Sequence, residues 1–144
     1  MIVVFDTSAL APAIIPASES RRLMDRLVAG GHWLCISRPI LQELQDVLLR
    51  PRSRRWHRRS DAEIAEFVTL VEQVFMVTPG VIQVSGLVPE DPDDDMVLAA
   101  GAEIQAEFIV TEDAHLLQLG GLGPMQVVSR AALHRILDVS GDAR

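Results

Sequence analysis

The chain has 144 residues, 49% of them hydrophobic, which suits one globular domain with a full core and argues against disorder. No apolar run reaches the roughly 18 residues of a membrane span, and the first residues lack the basic start and long apolar stretch of a signal peptide. The net charge of −7 is unevenly spread: all thirteen basic residues are arginine, and six of them fall in "RPRSRRWHRR" (50–59), which holds no acid, while the remaining seven stand against 20 acids.

In chain order, "IVVF" (2–5) is short, apolar and β-branched and predicts a buried strand. "SESRRLMDRLVAGG" predicts a helix with Ser18 as its cap and Gly30–Gly31 at its end. "HWLCIS" (32–37) predicts a second strand. It contains Cys35, the only cysteine, which rules out an intrachain disulfide, fits a reducing cytoplasmic location and reads as a core filler rather than a nucleophile. Pro39 suits a first helical turn, and "ILQELQDVLLR" follows with Ile40, Leu44, Val47 and Leu48 on one face until Pro51 stops it. The arginine-rich segment reads as a loop. Asp61 to Phe75 predicts an amphipathic helix with Ile64, Phe67, Val68, Val71 and Phe75 inward. "VIQVSG" (81–86) predicts a short strand or extended segment, and "DDMVLAAGAEIQA" a helix whose small residues let it lie close on a sheet. "FIVT" (108–111), the short helix "DAHLLQL", "MQVVS" (125–129) and the helix "RAALHRILDV" complete the pattern. Alternating apolar strands and helices predict an α/β fold with a parallel sheet covered on both faces.

Four acids flank these elements: Asp6 and Asp113 after apolar strands, Asp95 before an apolar run, and Glu43 beside the apolar stripe of a helix. Each alone has an ordinary reading as a cap or surface charge. Jointly they fall at the carboxyl edge of the expected sheet, where such folds bind ligands. Two like charges about 4 Å apart repel by roughly 4 kcal/mol at an effective dielectric near 20. A divalent cation reverses that cost, and hard cations take oxygen ligands.

Other chemistries fit less well. Asp91, Asp93 and Asp95 have the spacing that opens a calcium-binding EF-hand loop, but Met96 stands where glycine is needed and Ala102 where glutamate is. An aspartyl-phosphatase reading of "DTSAL" wants an acid where Ser8 stands. A chain without lysine has no phosphate-binding P-loop. His32, His57, His115 and His134 are scattered without metal-ligand spacing and read mostly as exposed, with His115 nearest the acidic edge.

The segments "VFDTSAL", "ISRPILQELQDVLLRPR", "DPDDDMVLAAGAEIQAEFIVTEDAHLL" and "MQVVSRAAL", in that order, span nearly the whole chain and resemble the PIN-domain family, within it the toxin components of bacterial toxin–antitoxin pairs (the VapC-like group). The resemblance implies a three-layer α/β/α PIN-like fold with a central parallel sheet, and a metal-dependent ribonuclease. It implies that Asp6, Glu43, Asp95 and Asp113 form an acidic quartet holding Mg²⁺ or Mn²⁺, with Thr7, Ser8 and Thr111 in support. It also implies a cognate antitoxin as partner. Where the family commonly reads Thr-Gly-Asp-x-Asp-Leu-Leu, this chain has Glu112 in place of the glycine and His115 in place of the second aspartate. The quartet can then be completed by Asp113 or by Glu112.

The basic segment supplies what an acidic edge lacks. Arg50, Arg52, Arg54, Arg55, Arg58 and Arg59 suit phosphates, and Trp56 suits a stacked base, which makes RNA the expected ligand. Two other readings compete: a catalytically weak PIN fold acting mainly as an antitoxin- or protein-binding module, and a housekeeping RNA-processing nuclease. A homodimer is a further expected partner state.

Overall fold

A computed structural model describes residues 1–80 and 94–141, with the helical backbone alone for Asp94 and Asp95. The expected strand at 81–86 therefore lies outside the described residues, as do the side chains of Asp91, Asp93 and Asp95. Strand β1 (Ile2–Phe5) leads into a short helix α1 (Thr7–Leu10) and a 3-10 turn (Ala11–Ile14), neither of which was expected. Helix α2 (Glu19–Ala29) follows, capped as anticipated by Ser18, whose hydroxyl accepts from Arg21 N. Then come β2 (Trp33–Ser37) and α3 (Arg38–Leu49), whose first turn is capped by the Ser37 hydroxyl.

The arginine-rich segment is a helix, not a loop. Helix α4 (Pro51–His57) opens on Pro51, which has no N–H to leave unpaired at a first helical position. Helix α5 (Asp61–Val74) starts at a capping box in which Ser60 and Glu63 each accept the other's backbone N–H. It ends just before β3 (Met76–Thr78). Helix α6 (Asp94–Ile104), β4 (Phe108–Val110), α7 (Ala114–Leu119), the two-residue β5 (Gly121–Leu122), β6 (Met125–Val128) and α8 (Arg130–Val139) complete the described chain.

The sheet runs β3-β2-β1-β4-β6-β5. All pairs are parallel except β5–β6, an antiparallel edge hairpin with Leu122 opposite Met125. The expected central parallel sheet is present, and the β5–β6 hairpin adds an antiparallel strand at its edge. Gly123 makes the hairpin turn at φ 58°, a region that side-chain-bearing residues avoid. Crossovers from β1 to β2 and β3 advance one way, and those to β4 and β6 the other. Right-handed connections therefore place α2 and α5 on one face and α6 on the opposite face.

Helix α6 packs along β1, β2, β3 and β4. It comes close because Gly101 faces the sheet: a Cβ there would stand 2.6 Å from Met125 Sδ and 3.1 Å from Ile109 Cδ1. The core between the layers includes Phe5, Leu23, Leu27, Ile36, Ile40, Leu44, Leu48, Ile64, Leu98 and Ile109, all fully or nearly fully buried. Phe5 meets Phe75 edge to face at 5.5 Å. Arg26 ties α2 to α8, its guanidinium reaching Asp138 at 2.6 Å and the His134 carbonyl at 3.2 Å.

Candidate active site

In this strand order the chain reverses direction beside β1, so the crevice of the sheet opens between the carboxyl ends of β1 and β4. Phe5 pairs with Val110 there, and Asp6 N donates to Val110 O at 2.9 Å. That register puts Asp6 directly against the loop leaving β4. The Thr111 hydroxyl donates to Asp6 Oδ2 at 2.7 Å and accepts from Asp113 N at 3.0 Å. The Ser8 hydroxyl donates to the same Asp6 oxygen at 2.8 Å and accepts from Glu112 N at 3.0 Å. Both hydroxyl protons are thus committed to Asp6, and the 3.2 Å Ser8–Thr111 contact holds two oxygens together around one carboxylate.

Asp6 is only 5% exposed. Burial raises its pKa above the ordinary carboxylate value. The Thr111 and Ser8 hydroxyls and the Thr7 amide pull the other way, and the nearby Asp113 adds to the rise. Among the described residues no arginine or histidine forms an ion pair with Asp6. The Thr7 hydroxyl, also buried, has no hydrogen-bond partner among them. A buried carboxylate with a like-charged neighbour and two hydroxyl oxygens beside it is a donor set that fits a hard divalent cation. Among the described residues no three acids, histidines or cysteines stand close enough to make a metal site unaided.

The remaining acids are placed as follows. Asp113 is half-buried and caps α7, its Oδ1 accepting from His115 N at 2.8 Å and Leu116 N at 3.4 Å. It caps α7 while its charge adds to the rise in the Asp6 pKa. Glu43 lies on the second turn of α3, half-buried; α3 packs against α1 and α6. Asp95 lies in the first turn of α6, which packs on β1, the strand that leads into Asp6. Glu112 turns elsewhere: its Oε1 accepts from Arg130 Nε at 2.7 Å and Arg130 N at 3.1 Å. Arg130 had carried no expected role. Its partner lies 18 positions away, and no local pattern announces the pair.

On α4 and the turn after it, Arg54 pairs with Asp61 and Arg59 with Glu63. Arg50, Arg52, Arg55 and Arg58 are exposed and form no ion pair among the described residues, and Trp56 is 49% exposed. His57 is buried, against expectation. Its Nε2 meets Leu48 O at 2.9 Å, fastening α4 to α3, and its Nδ1 accepts from Arg59 N at 2.9 Å in the turn that follows α4. His115 is exposed beside Asp113. Cys35 is fully buried, which pushes its thiol pKa up to about 11 and leaves it inert at neutral pH. No described helix is long and apolar enough to cross a membrane.

Comparison with known proteins agrees with this architecture. VapBC2 from Rickettsia felis bound to a DNA fragment from their promoter contains a chain that superposes with a TM-score of 0.60 at 14% identity, over 90% of this chain and 98% of that one. PAE2754 from Pyrobaculum aerophilum superposes with a TM-score of 0.58 at 17% identity, over 96% of this chain and 99% of that one. At these identities the likeness is one of fold. No curated protein matches the sequence. The model of the PIN domain matches residues 2–115, from β1 and Asp6 through Asp113 to the first residues of α7. The α/β/α fold, with the Asp6–Asp113 crevice at its sheet edge, is therefore that of a member of the PIN domain family, to which this chain belongs.

Proposed function

We infer that this chain is a metal-dependent endoribonuclease and the toxin of a toxin–antitoxin pair. The observation that carries this reading is Asp6: a buried carboxylate, raised in pKa, beside a second carboxylate at the switch point of a PIN domain. PIN domains are as a rule nucleases. Asp6, Glu43, Asp95 and Asp113 would hold Mg²⁺ or Mn²⁺. When bound, such an ion lowers the pKa of a coordinated water and neutralises charge on a phosphate.

The chain's own residues supply the rest. Ser8, Thr111 and the Thr7 amide hold the Asp6 carboxylate in one orientation and favour its charged form. No protein nucleophile is required, and Cys35 and Ser8 are spoken for by burial and hydrogen bonding. Arg50, Arg52, Arg55 and Arg58 suit RNA phosphates and Trp56 an unstacked base. That the Rickettsia relative in fold was solved as VapBC2 supports a cognate antitoxin as partner here, and the lone, buried Cys35 fits a reducing cytoplasm.

The test is a calorimetric titration of the wild-type chain and Asp6→Asn with Mn²⁺, followed by hydrolysis of a fluorogenic RNA oligonucleotide. Binding and hydrolysis by the wild type, both lost in the variant, are expected. Equal binding and turnover in the two proteins would contradict the assignment of Asp6.

A further inference from the structure

We propose that Arg130 is a positioning residue for the Asp6–Asp113 site, acting through Glu112; this deepens, and rests on, the metal-dependent reading of that site. The loop leaving β4 carries both groups that meet Asp6: Thr111 through its hydroxyl and Asp113 through its charge. Glu112 stands between them and is held on two sides. Its backbone N–H donates to the Ser8 hydroxyl, which itself donates to Asp6. Its carboxylate receives both the Arg130 backbone N–H and the Arg130 Nε–H.

Arg130 is itself anchored. Its Nη1 donates at 2.7 Å to the hydroxyl of Ser20, which is 0% exposed within α2. The resulting chain of hydrogen bonds runs from α2 and the start of α8, through Glu112, to Asp6. An exposed ion pair at one contact point contributes little and fixes little. This pair differs in two respects. Both side chains are about seven-tenths buried, at 27% and 31% exposure. The planar guanidinium also spends separate donors on Glu112 and Ser20, so its orientation is fixed at both ends. Lysine, a single point of charge, cannot reproduce that two-ended grip.

The consequence follows from the hydroxyl protons. Thr111 and Ser8 each have one proton, and each gives it to Asp6 Oδ2. Glu112 N and Asp113 N each donate to one of these oxygens, Ser8 and Thr111 respectively. A loop freed from Arg130 therefore loosens both hydroxyls around Asp6 together with Asp113.

The test uses the full chain as wild type, Arg130→Ala, Arg130→Lys, Glu112→Ala and the double variant Arg130→Ala with Glu112→Ala. Three readouts are taken: amide hydrogen exchange of Glu112 and Asp113 by NMR, Mn²⁺ affinity, and kcat and KM for an RNA oligonucleotide. Both alanine variants should speed exchange at these two amides and weaken Mn²⁺ binding or lower kcat by about 10–100-fold. KM should stay near the wild-type value, Arg130→Lys should fall between, and the double alanine variant should be no worse than either single one. Wild-type exchange at both amides in Arg130→Ala, or unchanged Mn²⁺ affinity and kcat, would overturn the proposal. A wild-type chain that binds no Mn²⁺ would instead overturn the metal-dependent reading and with it the role of Arg130. Exchange at Glu112 would then report only whether the grip exists.

Discussion

Replacing Asp6 by asparagine should make the protein more stable in EDTA while abolishing its response to metal. Asp6 is buried and its pKa is raised, first by desolvation and also by Asp113. Asparagine keeps an oxygen for the Ser8 and Thr111 hydroxyls and removes the charge. Desolvation is the largest cause of the raised pKa and the Asp113 charge the smallest, and the penalty of burying a charged group without a cationic partner is on the order of 1–3 kcal/mol. A net gain of about 1–2 kcal/mol is expected, or roughly 3–6 °C in Tm for a domain of this size.

The pH dependence has a definite sign. A raised folded-state pKa means that the folded protein binds the proton more tightly than the unfolded chain. Wild-type stability in EDTA should therefore rise as pH falls through the raised value towards the ordinary carboxylate pKa, a rise that Asp6→Asn lacks. Added Mn²⁺ at about 100 times its Kd should stabilise the wild type by about 2.7 kcal/mol and the variant hardly at all. The assay is differential scanning calorimetry in EDTA and in Mn²⁺ across acidic to neutral pH. A variant less stable than wild type in EDTA, or one with the same gain from Mn²⁺, would refute this account of Asp6.

Two other predictions concern separate parts of the structure. Gly101→Val should cost about 1–3 kcal/mol by overpacking α6 against Met125 and Ile109, read as a drop in the urea midpoint with unchanged slope; an unchanged midpoint would mean that α6 does not lie this close to the sheet. Replacing Arg50, Arg52, Arg55 and Arg58 together by glutamine should weaken RNA binding and flatten its salt dependence by about 0.7 per arginine engaged. RNA affinity with the wild-type salt slope would remove α4 from the RNA surface, with melting temperature as the control for folding.

Much of the fold was legible because it depends on local signals. The apolar runs at 2–5 and 108–110 are strands, and Ser18 caps α2 where its position before an amphipathic run predicts. Strand polarity then placed Asp6 and Asp113 on one edge before any contact was known. The failures were of two kinds. Elements too short for periodicity were missed: β3 is three residues and β5 two, and the 3-10 turn at Ala11–Ile14 carries no repeat. The arginine-rich segment was read by its charge, although Pro51 can both end one helix and begin the next.

The second kind depends on tertiary contact. His57 sits among arginines in sequence, yet its ring is buried because Leu48 O and Arg59 N engage both nitrogens. Glu112 is adjacent to Asp113 and is the alternative to it as the acid that completes the site. What separates them is Arg130, brought to Glu112 only when α8 docks beside the β4 loop.

The central claim is that the acidic edge cleaves RNA with a bound metal. The most direct measurement incubates the pure protein with a mixed RNA pool in Mn²⁺, in Mg²⁺ and in EDTA, beside Asp95→Asn. Cleavage with either metal, absent in EDTA and absent from the variant, is the predicted result. Cleavage that persists in EDTA, or that Asp95→Asn retains at the wild-type rate, would contradict it.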